Sequence, residues 1–228
     1  MKANSRIAKE INAISAALPQ GVTLIAVSKY HPAEAVMEAY EAGQRDFGES
    51  KAQDLVKKHE MLPQDIKWHF IGHLQTNKLK MVLPYADLIH SVDSERLLME
   101  MDKYAVKNGL KVRCLLELFV AQEESKQGFS KDELFSLLDK LHREPMDGVE
   151  ICGLMGMASF VEDRNQIAAE FDQLKAIFDQ AREKYISTLP NFKELSMGMS
   201  GDYDIAVEKG STLVRIGTSI FGARNYNK

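Results

Sequence analysis

Apolar positions along this chain switch between two spacings, and the switch repeats from one end to the other. Ile7, Ile11, Ile14 and Leu18 recur at helical intervals and predict a leading amphipathic helix over residues 1–18. Val22 to Lys29 is a compact run of strand-forming residues, and Pro32 ends it. Helical spacing returns from Ala33 to Ala42 and closes on Gly43, a natural C-terminal glycine. Further strand-like runs occupy 46–49, 66–72, 87–92, 111–120, 149–157, 194–198 and 213–217. Helical patterns over 50–61, 94–106, 131–142, 167–186 and 200–209 fall between them, with a short helix ending near Pro84. Ser94 and Ser130 are placed as N-caps, and Glu133 completes a capping box with Ser130.

Eight strands alternating with helices predict an α/β protein, a single (β/α)8 TIM barrel over residues 1–228 with an extra N-terminal helix able to cap one end. A doubly wound sheet is the competing architecture, but no Gly-x-Gly-x-x-Gly turn follows the first strand. The net charge of -4 and the lack of a dense Lys/Arg cluster argue against a nucleic-acid partner. Cys114 and Cys152 both sit in apolar strand runs, which favours reduced core thiols over a disulfide or metal pair. The N-terminus lacks the apolar core of a signal peptide, and no run approaches the roughly 20 apolar residues of a membrane span. A soluble, cytoplasmic protein is expected.

A barrel gathers the carboxyl ends of its strands at one mouth. Here these ends supply Lys29, Glu49 with Ser50, Gly72 with His73, Asp93, Met155, the run Ser196 to Ser200, and Arg215 with Gly217, Thr218 and Ser219. The loops after the seventh and eighth strands are rich in glycine and hydroxyls, and in this fold backbone N–H groups and helix dipoles at that place favour a phosphate. Lys29 stands across the mouth from them. A lysine amine in a partly desolvated site is more easily neutral and can attack an aldehyde to form a Schiff base. Pyridoxal 5′-phosphate carries both the aldehyde and the phosphate. If alternation holds in the eighth strand, Arg215 points into the barrel, where a permanent cation beside the pyridine nitrogen would leave that nitrogen unprotonated. His69 and His73 lie on a strand and its exit rather than on one helix face, so a zinc pair is not expected, and no metal site is assigned. His90 reads as a satisfied core histidine, Asp93 as a cap for the helix at Ser94, and the methionine-rich runs 154–157 and 197–199 as pocket walls.

At these residues the sequence resembles the YggS/PROSC family of pyridoxal phosphate homeostasis proteins. The matching motifs are Ala26-Val-Ser-Lys29, Phe47-Gly-Glu49, the run from Trp68 to Lys78, Gly153-Leu-Met155, Leu195 to Ser200, Val214-Arg-Ile-Gly217 and Ile220-Phe-Gly222. They run in order over nearly the whole chain. The resemblance implies a barrel like the cofactor-binding domain of alanine racemase, with Lys29 as the Schiff-base lysine and Arg215 as the partner of the pyridine nitrogen. It implies a phosphate cradle of Ser200, Gly217 and Thr218, with Ser196 and Met199 nearby. Ser50 is also counted among the cofactor-binding positions, with a hydroxyl where the family usually has asparagine. Glu123 to Lys126, with Gly128, resembles a family loop to which no role is attached.

The expected function is therefore intracellular pyridoxal phosphate homeostasis without catalytic turnover, the protein buffering the cofactor or delivering it to pyridoxal-phosphate-dependent apo-enzymes. No catalytic residue is assigned. The enzyme alternative is an amino-acid racemase or decarboxylase. Racemases of this fold use a tyrosine from an added β-domain, which the short stretch after the eighth strand does not supply. The lack of that domain also points to a monomer. A sugar-phosphate barrel enzyme using Lys29 as an ordinary base would need no cofactor.

Overall fold

A computed structural model describes residues 5–120 and 127–223. Eight strands, β1 (Thr23–Val27), β2 (Asp46–Glu49), β3 (Lys67–Phe70), β4 (Leu88–Val92), β5 (Val112–Glu117), β6 (Val149–Met155), β7 (Glu194–Ser196) and β8 (Leu213–Ile216), pair in parallel and in sequence order. β8 returns to β1 through the register Ile25↔Arg215, closing the expected barrel. Around it lie α1 (Arg6–Ala17), α2 (Ala33–Glu41), α3 (Ala52–Met61), α4 (Leu79–Val82), α5 (Glu95–Lys107), α6 (Lys131–Arg143), α7 (Arg164–Tyr185), α8 (Tyr203–Glu208) and α9 (Thr218–Phe221).

Strand alternation divides the barrel into two environments. Residues facing out, among them Ala26, Phe47, Trp68, Leu116, Leu154 and Val214, merge with the apolar stripes of the helices into one core. Residues facing in form a separate small apolar cluster of Ile25, Leu88, Leu115, Cys152, Met155 and Leu213. The rest of the interior is polar. Asp46, His69, His90, Glu117, Ser196 and Arg215 come from strand positions that alternate with buried apolar neighbours.

One irregularity sets the β5–β6 register. Cys114 pairs with Ile151 but Leu115 pairs with Gly153, so Cys152 is the extra residue of a bulge. Gly153 follows at φ 150°, and a Cβ there would lie 1.8 Å from the Glu194 carbonyl oxygen of β7. Only glycine lets β6 and β7 approach so closely. Both cysteines are buried and free.

The sequence-based boundaries hold for most elements, and the departures have local causes. α1 does not plug a barrel end. It packs beside α2 and α9, with Ile11 and Ile14 buried and the Arg6 guanidinium donating to the Ile220 carbonyl. The helix after β8, α9, is only four residues long, and α1 packs against it. The expected helix at 200–209 shortens to α8, because Ser200 to Asp202 turn at the mouth before the helix starts. Ser94 caps α5 with its own hydroxyl, which accepts from the Leu97 N–H, so Asp93 is not the cap. Ser130 and Glu133 form the expected capping box. The loop motif Glu123 to Lys126 and the tail from Arg224 lie outside the described residues. No helix among the described residues is long and apolar enough to cross a membrane.

Candidate functional site

The mouth at the carboxyl ends of the strands opens into a cavity of about 470 Å³, a size common for cofactor sites. Lys29, Met199, Ser200, Arg215, Gly217 and Thr218 all line it, although they come from three separate stretches of chain. Ser50 and Ser196 do not line it. Ser50 lies where its backbone crowds Gly72, whose added Cβ would sit 2.1 Å from the Ser50 carbonyl oxygen.

Lys29 sits in the turn just after β1 rather than within the strand. Tyr30 follows at φ 68°, a left-handed conformation that is costly for a tyrosine, and its half-exposed ring lies under the Lys51 ammonium and is not part of the cavity lining. The strain is held by a buried anchor under the turn. The Ser28 N–H donates to the Gly48 carbonyl (3.0 Å), and its hydroxyl donates to the Glu49 carboxylate (2.7 Å). Lys58, reaching in from α3, donates to the Ser28 carbonyl (2.9 Å) and forms an ion pair with Glu49. Burial pushes the Glu49 carboxyl upward while Lys58 pulls it down, and one Glu49 oxygen is buried with no hydrogen-bond partner. This anchor is not visible in the sequence, where Lys58 belongs to an ordinary charged helix face.

The loops after β7 and β8 meet beside the Lys29 turn rather than across the mouth from it, because β8 pairs with β1 and a Cβ on Gly217 would lie 3.1 Å from the Val27 carbonyl oxygen. Gly198 adopts φ 92°, and a Cβ there would lie 2.5 Å from the Ala206 side chain, so both the backbone and the space demand glycine. The Gly198 carbonyl accepts from the Arg215 N–H (3.0 Å), and the Ser200 hydroxyl accepts from the Gly217 N–H (3.3 Å). The two loops are thus one unit. α8 and α9 are too short for much of a macrodipole, so what this wall offers an anion is local: hydroxyls, backbone N–H groups and the charge of Arg215. Asp202 beneath the loop accepts from the Met199 N–H, and burial raises its carboxyl.

Arg215 points into the barrel and is 5% exposed. Its guanidinium donates to the Ser196 hydroxyl (2.6 Å) and to the Gly156 carbonyl (3.2 Å). Burial lowers it to about 10, opposed by Asp202 and Glu117, so it remains a cation at neutral pH. Glu117 is a cavity residue that sequence reasoning missed. Its carboxyl is 4% exposed, and burial, with Asp93 adding to it and Arg215 opposing, raises it to about 7. One signal was available: it shares the inward face of β5 with Leu115 and is the acidic residue that ends an apolar strand. His73 also lines the cavity and pairs with Asp93 (3.1 Å), which accepts from the Ser94 hydroxyl as well. Met157, Phe160, Val161 and Met199 form an exposed apolar rim.

Chemically, the cavity brings together an amine, a wall of hydroxyls and backbone N–H groups, and a buried cation. The family model described as alanine racemase, N-terminal domain, matches residues 4–225. A pyridoxal phosphate homeostasis protein of Aquifex aeolicus is 39% identical over 204 residues, covering 89% of this chain and 87% of that protein. One of Vibrio cholerae is 40% identical over 212 residues, with 91% and 87% covered. Among solved structures, PipY of Synechococcus elongatus without PLP superposes with a TM-score of 0.88 at 36% identity, covering 95% of this chain and all of that one. The structure of PipY with PLP bound gives 0.85 at the same identity and coverage.

Proposed function

The chain belongs to the family of pyridoxal phosphate homeostasis proteins, built on the alanine racemase N-terminal domain, and on that premise we propose that it binds pyridoxal 5′-phosphate at Lys29 to store and hand on the cofactor. One observation carries the reading: a single cavity unites Lys29, Arg215, Ser200, Gly217 and Thr218. The donor set fits the cofactor, with an amine for its aldehyde, hydroxyls and N–H groups for its phosphate, and a buried guanidinium for its ring nitrogen. PipY, similar over 95% of this chain, has a structure with PLP bound.

Bound there, the cofactor supplies an aldehyde carbon that an amine attacks reversibly with loss of water. The chain's own residues do the rest. The Ser28–Glu49–Lys58 anchor fixes the turn that presents Lys29. Ser200, Gly217 and Thr218 hold the phosphate end, with Met199 at the rim. Arg215 keeps its proton near neutrality, so the ring nitrogen beside it gains no proton and the ring withdraws electrons weakly. That property suits holding over turnover, as does the place of the Tyr30 ring outside the cavity lining. Release needs a competing amine or water at the open mouth, where a pyridoxal-phosphate-dependent apo-enzyme could receive the cofactor. Lys29, Arg215 and the phosphate residues all come from one chain, in keeping with a monomer. The free cysteines suit the reducing cytoplasm.

The test is capture of pyridoxal phosphate by purified protein, followed by borohydride reduction and peptide mass spectrometry. The adduct should map to Lys29, and Lys29→Ala should abolish it. An adduct elsewhere, or none, overturns the reading. Steady α-proton exchange into L-alanine in deuterium oxide would favour a racemase-type enzyme instead.

A further inference from the structure

Beneath the cavity, five side chains from five strands join in one hydrogen-bonded chain. Arg215 Nη1 lies 2.6 Å from Ser196 Oγ, and Ser196 Oγ lies 2.9 Å from His90 Nδ1. His90 Nε2 is 2.9 Å from His69 Nδ1, and His69 Nε2 is 3.0 Å from Asp46 Oδ1. Every link except the Asp46 end is buried, and His90 is wholly enclosed.

Donor chemistry fixes the direction of each link. A guanidinium only donates, so Ser196 Oγ accepts from Arg215 and has its hydroxyl proton free for His90 Nδ1. His90 then carries its proton on Nε2 and donates to His69 Nδ1. His69 donates from Nε2 to Asp46, which as a carboxylate only accepts. Both rings are therefore neutral Nε2–H tautomers, and the chain runs from a cation to an anion. Burial, with the positive charge of Arg215 adding to it, holds His90 well below its ordinary value, in keeping with a neutral ring. The opposite direction needs a second proton on His69, which adds a cation to an interior that already holds Arg215.

We propose that Asp46, His69, His90 and Ser196 are positioning residues for Arg215. They engage one guanidinium arm while the Gly156 carbonyl engages the other, fix its plane, and leave its remaining donors for the cavity. Asp46 is the anionic acceptor that ends the chain. The consequence for the cofactor rests on the reading that Arg215 faces its ring nitrogen. On that reading, the chain holds a donor beside that nitrogen that never surrenders its proton. A buried network that only satisfied the core would leave Arg215 indifferent to its distant members.

Nitrogen-15 NMR of the cofactor-free protein at pH 7 tests the chain itself. Both His69 and His90 should be Nε2–H tautomers, and Arg215 should show slowly exchanging, resolved guanidinium protons. Asp46→Ala and Ser196→Ala should each speed that exchange, and Ser196→Thr should restore it. In the pyridoxal phosphate titration, Ser196→Ala should weaken binding about tenfold, the size of a lost hydrogen bond to a charged group, and shift the absorption maximum of the bound cofactor. A doubly protonated ring, an Nδ1–H ring, or Arg215 exchange unchanged in either alanine variant overturns the proposal. If the wild-type protein captures no cofactor while the rings and Arg215 behave as stated, the functional reading falls and the positioning assignment stands.

Discussion

Glu117→Gln should change how stability depends on pH, and the size follows from the site. The Glu117 carboxyl is 4% exposed and is held at about 7 by burial and Asp93, against the opposing pull of Arg215. In the unfolded chain it returns to the ordinary range near 4.5. A carboxyl whose folded value is raised favours the fold while protonated. That contribution is complete below the unfolded value and is lost as pH rises through the folded one. Between pH 5 and pH 8 the wild-type protein should lose about 2.5 kcal/mol through this group alone. Glutamine keeps the size and polarity of the side chain but cannot ionise. The difference in unfolding free energy, variant minus wild type, should therefore grow by that amount across the interval in favour of the variant. Urea unfolding at pH 5, 6, 7 and 8 measures it, with other titrating groups common to both proteins. Parallel profiles would refute the reasoning, because they would mean that Glu117 titrates alike folded and unfolded.

Two further substitutions probe the framework of the site. Lys58→Met strands the Glu49 carboxylate, which is wholly buried, and should cost about 3–5 kcal/mol in denaturant unfolding at pH 7. The Glu49→Gln, Lys58→Met double variant should recover much of this loss, and a double variant no more stable than the single would contradict a charge-based origin. Gly153→Ala places a methyl 1.8 Å from the Glu194 carbonyl oxygen and should cost at least about 3 kcal/mol, seen as a lower melting temperature or loss of soluble protein. A melting temperature within a degree of wild type would mean that β6 and β7 separate at little cost.

The site was legible to different depths. Lys29 could be placed at the mouth because a strand's end and a following proline are local facts, and a closed barrel gathers all such ends. The glycine- and hydroxyl-rich loops could be located for the same reason, and Arg215 could be aimed inward by counting in twos. The family resemblance places Ser196 near the phosphate residues. In space, alternation turns its hydroxyl beneath Arg215 instead. Ser50 lies at a strand exit like Lys29, but its turn packs on Gly72 and leaves the cavity wall.

By itself, the sequence determined what depends on near neighbours along the chain: the alternating elements, their caps, the eight-strand count and the amine at the first strand's end. The partners were decided only by closing the barrel. His69 meets His90 across β3 and β4, His90 meets Ser196 from a strand 106 positions away, and Lys58 reaches under the Lys29 turn from α3. Strand register and the β5–β6 bulge set those pairings, and both depend on how all eight strands fit one circumference. Lys29 therefore owes its place to local pattern. The fixed turn beneath it and the oriented cation on the neighbouring strand belong to the tertiary structure, because each needs groups from distant segments brought within hydrogen-bond reach.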